Sequence, residues 1–269
     1  MYSEEHSMEQ EREIAIKIRN LKMAYGTEPV LKGIDLDVFK GEIVGYIGPN
    51  GAGKSTTVKI MLGFIEEYTG SVEILGQNIA DGDVEYKRKI GYVPETAEIY
   101  ESLTAREYLT FVGELYGLDY DRADGKAQKL MQLFEIGEMY DARIAACSKG
   151  MKQKVLIIAS LLHDPEILFL DEPLSGLDAN SVMVVKELLA QLAEHGKTIF
   201  YSSHIMDVVE KISDRIVLLN EGFVVADGSF AALKDQCREG SLEEIFNQLT
   251  GFHEHKQIAE EFAAIVQEA

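Results

Sequence analysis

Between the apolar run Ile43–Ile47 and a helical pattern from Ser55 to Leu62 stands Gly48-Pro49-Asn50-Gly51-Ala52-Gly53-Lys54-Ser55, with Thr56 next. The glycines let consecutive backbone N–H groups curl into a concave nest, and the helix that follows adds its positive end. Strand, glycine-rich turn and helix in this order are the grammar of an α/β protein with a phosphate-binding loop. The spacing predicts that the Lys54 ammonium reaches the β- and γ-phosphates of a nucleotide and that the Ser55 hydroxyl ligates Mg²⁺.

A second constellation has compatible topology. Ile167–Asp171 is apolar until its last residue and Thr198–Ser202 is rich in β-formers, as expected of strands buried on both faces of a parallel sheet. Carboxylates at the mouth of such a strand lie beside a phosphate loop, outside the carboxyl ends of the strands. Asp171 is therefore predicted to bind Mg²⁺ directly or through water. Glu172 is predicted to polarise the attacking water or accept its proton.

The remainder organises around these two motifs. Alternating runs at Ile14–Ile18 and Leu31–Phe39 predict a small antiparallel sheet, and short strands follow at 71–76 and 90–94. Helical patterns near 105–116, 122–135 and 150–162 predict a helical subdomain, about 100–162, inserted between strands. A further helix is expected over 181–194, and Asn220-Glu221-Gly222 signals a hairpin. The expected divisions are an acidic flexible leader over 1–13, a main domain over 14–237 and a helical tail over 238–269. In that tail Ile258, Phe262, Ile265 and Val266 share one face.

Charge narrows the partners. The chain has 26 Lys and Arg against 46 Asp and Glu, a net charge of −20. That disfavours nucleic acid and direct adhesion to anionic lipid, so a bound polyanion must be held by a local device. The longest strongly apolar stretch, Val155–Leu162, is far short of a membrane span, and the N-terminus lacks a signal-peptide pattern. No direct membrane insertion is expected. Cys147 and Cys237 form no zinc or disulfide motif, which suits a reducing, cytoplasmic setting.

Five elements together resemble the nucleotide-binding subunit of ATP-binding-cassette (ABC) transporters over nearly all of residues 14–235. Beside the phosphate loop and the Asp171-Glu172 pair, Cys147-Ser148-Lys149-Gly150-Met151 stands in the place of the family signature. Ser175-Gly176-Leu177-Asp178 has the spacing of the D-loop, and His204 that of the switch histidine. The resemblance implies a P-loop NTPase fold of ABC type, with a mixed-sheet core, an antiparallel β subdomain and an inserted helical subdomain. It further implies Tyr25 stacked on adenine, His204 near the γ-phosphate, and Ser148 and Gly150 at the γ-phosphate of ATP held by an opposite subunit.

Two departures stand out. The signature carries Cys147, Lys149 and Met151 where Leu, Gly and Gln are commonest, and Glu95 replaces the usual Q-loop glutamine. Glu95 keeps an oxygen for metal or water but loses an amide donor and adds charge. The Pro-Glu and Ser-Lys-Gly-Met variants resemble cassettes of bacterial ABC-2-type exporters. The resemblance thus implies an Mg-ATP-hydrolysing subunit, working as a homodimer or paired cassette, that powers export through a separate transmembrane permease. Such a subunit sits peripherally on the inner face of the cell membrane. A soluble ABC ATPase in assembly or regulation, or a nucleotide-dependent scaffold with little hydrolysis, stays open.

Overall fold

The computed structural model describes residues 12–96, 99–238, 240–251 and 262–266. The leader expected over 1–13 lies outside them except for 12–13. Of the tail face expected at Ile258, Phe262, Ile265 and Val266, Ile258 lies outside the described residues; 262–266 is helical, with Phe262, Ile265 and Val266 exposed.

Strands β1 (Ile14–Tyr25) and β2 (Glu28–Phe39) form an antiparallel pair; β3 (Ile43–Ile47) then leads through the glycine-rich loop into helix α1 (Lys54–Met61). Strands β4 (Thr69–Ile74) and β5 (Gln77–Asn78) complete a four-stranded antiparallel sheet of order β2-β1-β4-β5. β1 runs well past Ile18, where the period-two pattern stops. The register shifts between Ile18 and Leu21, with Asn20 at φ 46°, and burial resumes at Leu21 and Met23. A bulge inserts a residue and so breaks strict alternation.

After β6 (Ile90–Val93) come α2 (Ala105–Leu115), α3 (Tyr120–Leu133) and α4 (Lys149–Leu161), and then β7 (Ile167–Asp171). This is the inserted helical subdomain. Caps set its boundaries: Thr104 and Glu107 form a capping box at α2. The Asp119 side chain accepts the Arg122 N–H, so α3 starts earlier than its apolar pattern suggested. Helix α5 (Ala179–Glu194) likewise starts early, because Asp178 caps it. The chain continues through β8 (Thr198–Ser202), α6 (Met206–Ile212), β9 (Arg215–Asn220), β10 (Phe223–Gly228), α7 (Phe230–Cys237) and α8 (Leu242–Thr250). Helices α6 and α7 are too short for periodicity to reveal. In the tail, Leu242 and Ile245 of α8 are buried in the main core, so this part packs on its own domain.

The second sheet has the order β10-β9-β3-β8-β7-β6, parallel except for β10. Both its faces are covered. In β3, Ile43 and Ile47 join the core shared with the helices, while Val44 and Tyr46 join the core under the antiparallel sheet. Each such apolar side chain contributes about 1.5–3 kcal/mol by leaving water, which is why these strands read as apolar runs.

One histidine ties the helical subdomain to β6. The His163 ring stacks on Tyr116, with centroids 3.6 Å apart, and its Nε2–H donates to the Ile90 carbonyl at 2.9 Å. Nδ1 is buried without a hydrogen-bond partner. Burial holds the His163 pKa below the ordinary value; Lys126 and Lys197 act in the same direction, against the Ile90 carbonyl and Asp164. A proton on Nδ1 would be a buried, unpaired charge. Below about pH 6.5 the unfolded chain takes up a proton that the folded chain resists, so acidification costs stability. His163→Gln, which retains a donor for Ile90, is expected to flatten the dependence of urea midpoints between about pH 5 and 6.5. Equal slopes in the two proteins would refute this role.

Candidate functional site

Strand order assembles the site. β3 is flanked by β8, β8 by β7 and β7 by β6, all running the same way. The segments leaving their carboxyl ends are the glycine-rich loop, Ser203-His204, Glu172-Pro173 and Pro94-Glu95, and they meet at one edge of the sheet. A cleft of about 300 Å³ there is lined by Asn50, Gly51, Gly53, Lys54, Ser55 and Thr56 from the loop, with Glu95, Asp171, Glu172 and His204 from the neighbouring strands. Tyr25 and Val30 of the antiparallel sheet form its outer wall. Tyr25 is about half exposed at 53%, leaving its ring free for a planar ligand.

The loop is held open from behind. Gly53 caps α1 at φ 106°, and a Cβ there would lie 2.5 Å from Leu31 Cδ2, so both conformation and space demand glycine. Tyr46 Oη donates to Thr57 Oγ1 at 3.2 Å, and Thr57 donates to the Gly53 carbonyl at 3.0 Å. Lys54 Nζ donates to the Gly48 and Pro49 carbonyls at 2.7 and 3.1 Å, spanning the mouth of the loop. Burial lowers the Lys54 pKa, opposed by Glu172, Asp171 and Glu95. Gly48, Pro49 and Ala52 shape the loop from outside the cleft lining. Glycine-flanked amides with one ammonium form a built receptor for phosphate oxygens.

The acids face this receptor. Asp171 is 7% exposed and accepts a hydrogen bond from Ser202 Oγ. Glu172 sits at φ 48°, and its N–H donates to the Ser202 carbonyl at 3.0 Å. Its carboxylate accepts from Ser203 Oγ at 3.0 Å, from the His204 backbone N–H at 2.7 Å and from His204 Nδ1 at 2.6 Å. The His204 side chain is 76% exposed, so it can turn toward a ligand without unpacking the core. Among the described residues no three His, Cys, Asp or Glu are grouped as a metal cage. Ser55 and Asp171 offer one hydroxyl and one carboxylate oxygen. That set fits Mg²⁺, which takes few protein ligands and completes its shell with phosphate and water.

Ser148 and Gly150 do not line this cleft. They begin α4, where Ser148 Oγ accepts the Met151 N–H at 3.2 Å. A Cβ on Gly150 would come within 2.5 Å of the Gly176 carbonyl, so the signature backbone rests against the D-loop of the same chain. Lys149 is exposed; its stem covers Gly176 and Nζ donates to Ser175 Oγ at 3.2 Å. Asp178 accepts from Ser181 N and Oγ and lies 3.8 Å from Lys154; these Ser181 bonds chiefly pull its pKa down to about 2. Motif reading missed Ser202, Ser203 and Thr57. Their contacts follow from strand pairing and helix geometry, and no spacing rule announces them.

The ABC transporter family profile matches residues 31–175. The chain belongs to the ABC transporter family. This cassette is 38% identical to the linearmycin resistance ATP-binding protein LnrL of Bacillus subtilis, over 80% of this chain and 69% of LnrL. It is 30% identical to the Nod factor export ATP-binding protein I of Burkholderia lata, over 91% of this chain and 84% of that protein. Among solved structures, the ATP-binding subunit of an ABC transporter superposes with a TM-score of 0.82 at 35% identity, covering 88% of this chain and 99% of that one. A dimeric ATP-binding cassette bound to ADP and Pi in a post-hydrolysis state gives 0.74 at 27% identity, covering 80% and 98%. The cassette is thus an ATP-binding and ATP-hydrolysing subunit of an ABC transporter. No helix among the described residues is long and apolar enough to cross a membrane.

Proposed function

We propose that this cassette powers export through a separate transmembrane permease, on the inner face of the membrane, and that it does so as a head-to-tail dimer enclosing two Mg-ATP. The observation that carries the dimer is the placement of Ser148 and Gly150. They begin a helix that is exposed at its first turn, where its positive end meets no acid of its own, and they stand outside the cleft formed by their own chain. A second cassette would bring that helix start to the γ-phosphate. The likeness to a dimeric cassette holding ADP and Pi supports this, and the export and resistance functions in the names of the two relatives support the direction of transport. The Pro94-Glu95 and Ser148–Met151 variants favour the ABC-2-type group.

In this reading Tyr25 stacks on adenine, residues 48–56 wrap the phosphates, and Lys54 spans their β and γ oxygens. Ser55, Asp171 and Glu95 face Mg²⁺, which when bound neutralises charge on the phosphate oxygens. Glu172 orients a water and accepts its proton, while His204 turns from Glu172 toward the γ-phosphate. Closing the dimer around ATP gives it differential affinity for one permease conformation, which is what transport requires.

Ser148→Arg is the test of the trans contact. With Mg-ATP present and hydrolysis blocked by Glu172→Gln, the parent is expected to elute as a dimer and the Ser148→Arg variant as a monomer. Because Ser148 is exposed, the variant should keep its fold and its ATP affinity. Dimerisation equal to that of the parent would overturn the trans site.

A further inference from the structure

The two acids at the end of β7 are met by two consecutive serines at the end of β8. Parallel pairing sets Asp171 opposite Ser202, and the chains then leave the sheet side by side. Ser202 Oγ donates to Asp171 Oδ1, and Ser203 Oγ donates to Glu172 Oε2 at 3.0 Å. Both serines are 1% exposed, so water does not substitute for either hydroxyl. Ser203 is also fixed from behind, because its Oγ accepts the Ile205 N–H at 3.1 Å. An ionised carboxylate only accepts, so the hydroxyl proton is the one that points at Glu172.

The other side-chain donor to Glu172 is of a different kind. His204 is largely exposed, and in the reading above its ring leaves Glu172 for the nucleotide. Ser203 then remains as the buried side chain that holds the carboxylate, with the His204 backbone N–H on the other oxygen. Asp171 has a parallel arrangement: Ser202 occupies Oδ1, leaving Oδ2 as the oxygen free to face a cation.

From this geometry we infer that Ser202 and Ser203 are positioning residues for ATP hydrolysis, Ser202 aiming Asp171 at the metal and Ser203 aiming Glu172 at the attacking water. The inference rests on the roles proposed above for Asp171 and Glu172. Hydrogen-bonded partners of metal-site and catalytic groups typically change affinity or activity by about 10–100-fold when removed.

The experiment compares Ser203→Ala, Ser203→Thr and Ser202→Ala with Glu172→Gln, all first checked for unchanged thermal melting. Ser203→Ala is expected to lower kcat about tenfold or more with KM for ATP unchanged, and Ser203→Thr to recover most of the loss. Added to Glu172→Gln, Ser203→Ala should cause no further loss, because both act through one carboxylate. Ser202→Ala is read without turnover: Mn²⁺ titrated onto the ADP-bound protein and followed by electron paramagnetic resonance should bind about tenfold more weakly. Full kcat in Ser203→Ala alongside an inactive Glu172→Gln overturns the serine assignment alone. Losses that add in the double variant, or Mn²⁺ affinity unchanged in Ser202→Ala, do the same for the corresponding serine. Full turnover by Glu172→Gln instead overturns the reading of Glu172, and the role of Ser203 falls with it.

Discussion

Glu172→Gln is expected to lower steady-state ATP hydrolysis by about two to three orders of magnitude while Mg-ATP binding is retained. The substitution is nearly isosteric, and the surroundings of Glu172 accommodate it. The amide oxygen can accept both the backbone and the ring N–H of His204, as Oε1 does. The amide nitrogen can take the place of Oε2 beside Ser203, whose hydroxyl then accepts instead of donating. Placement is kept and basicity is lost. Removing a negative charge from a cleft that also holds Asp171 and Glu95 should, if anything, tighten binding of the anionic nucleotide. Single-turnover and steady-state phosphate release, with nucleotide affinity measured separately, check both halves. Turnover near that of the parent protein would remove Glu172 from the chemistry.

Lys54→Ala should act at the other end of the reaction, on binding. In the cleft the ammonium hydrogen bonds two carbonyls of its own loop, and binding exchanges these contacts for phosphate oxygens. The exchange is favourable because phosphate oxygens carry a charge that the loop carbonyls lack. Loss of two charge-assisted hydrogen bonds to phosphate is worth about 3 kcal/mol net, or about a 100-fold rise in Kd. Calorimetric titration of ATP measures it. Melting without nucleotide is the control that separates lost binding from lost stability. An unchanged affinity would refute the phosphate role.

Much of the site was legible because its chemistry is written in contiguous residues. The glycines of 48–53, Lys54, and the acid pair after an apolar run each report their own local geometry, and the strands β3, β7 and β8 were visible as runs buried on two faces. What sequence hid was relational. No pattern reveals that β8 lies between β3 and β7, and that order alone brings Ser202 and Ser203 onto Asp171 and Glu172. The bulge at Asn20 concealed half of β1 by breaking its alternation. Side-chain caps at Asp119 and Asp178 moved helix starts ahead of their apolar periodicity. The contact of Lys149 with Ser175 is relational too, because Ser175 lies on a loop whose approach depends on Gly150 lacking a side chain.

The central position of β3 also governs when the protein can first hold a nucleotide. The phosphate loop leaves a strand whose two neighbours are β8 and β9, with Ile43 beside Ile199 and Val44 beside Arg215. Both neighbours come from late in the chain, so during synthesis the loop emerges long before the strands that clamp its base. Such long-range parallel pairing is slow, because loop closure must precede its reward. ATP binding therefore serves as a readout of completed folding: a ribosome-bound chain stalled before β8 has every residue of the phosphate loop and neither of the strands that flank its base.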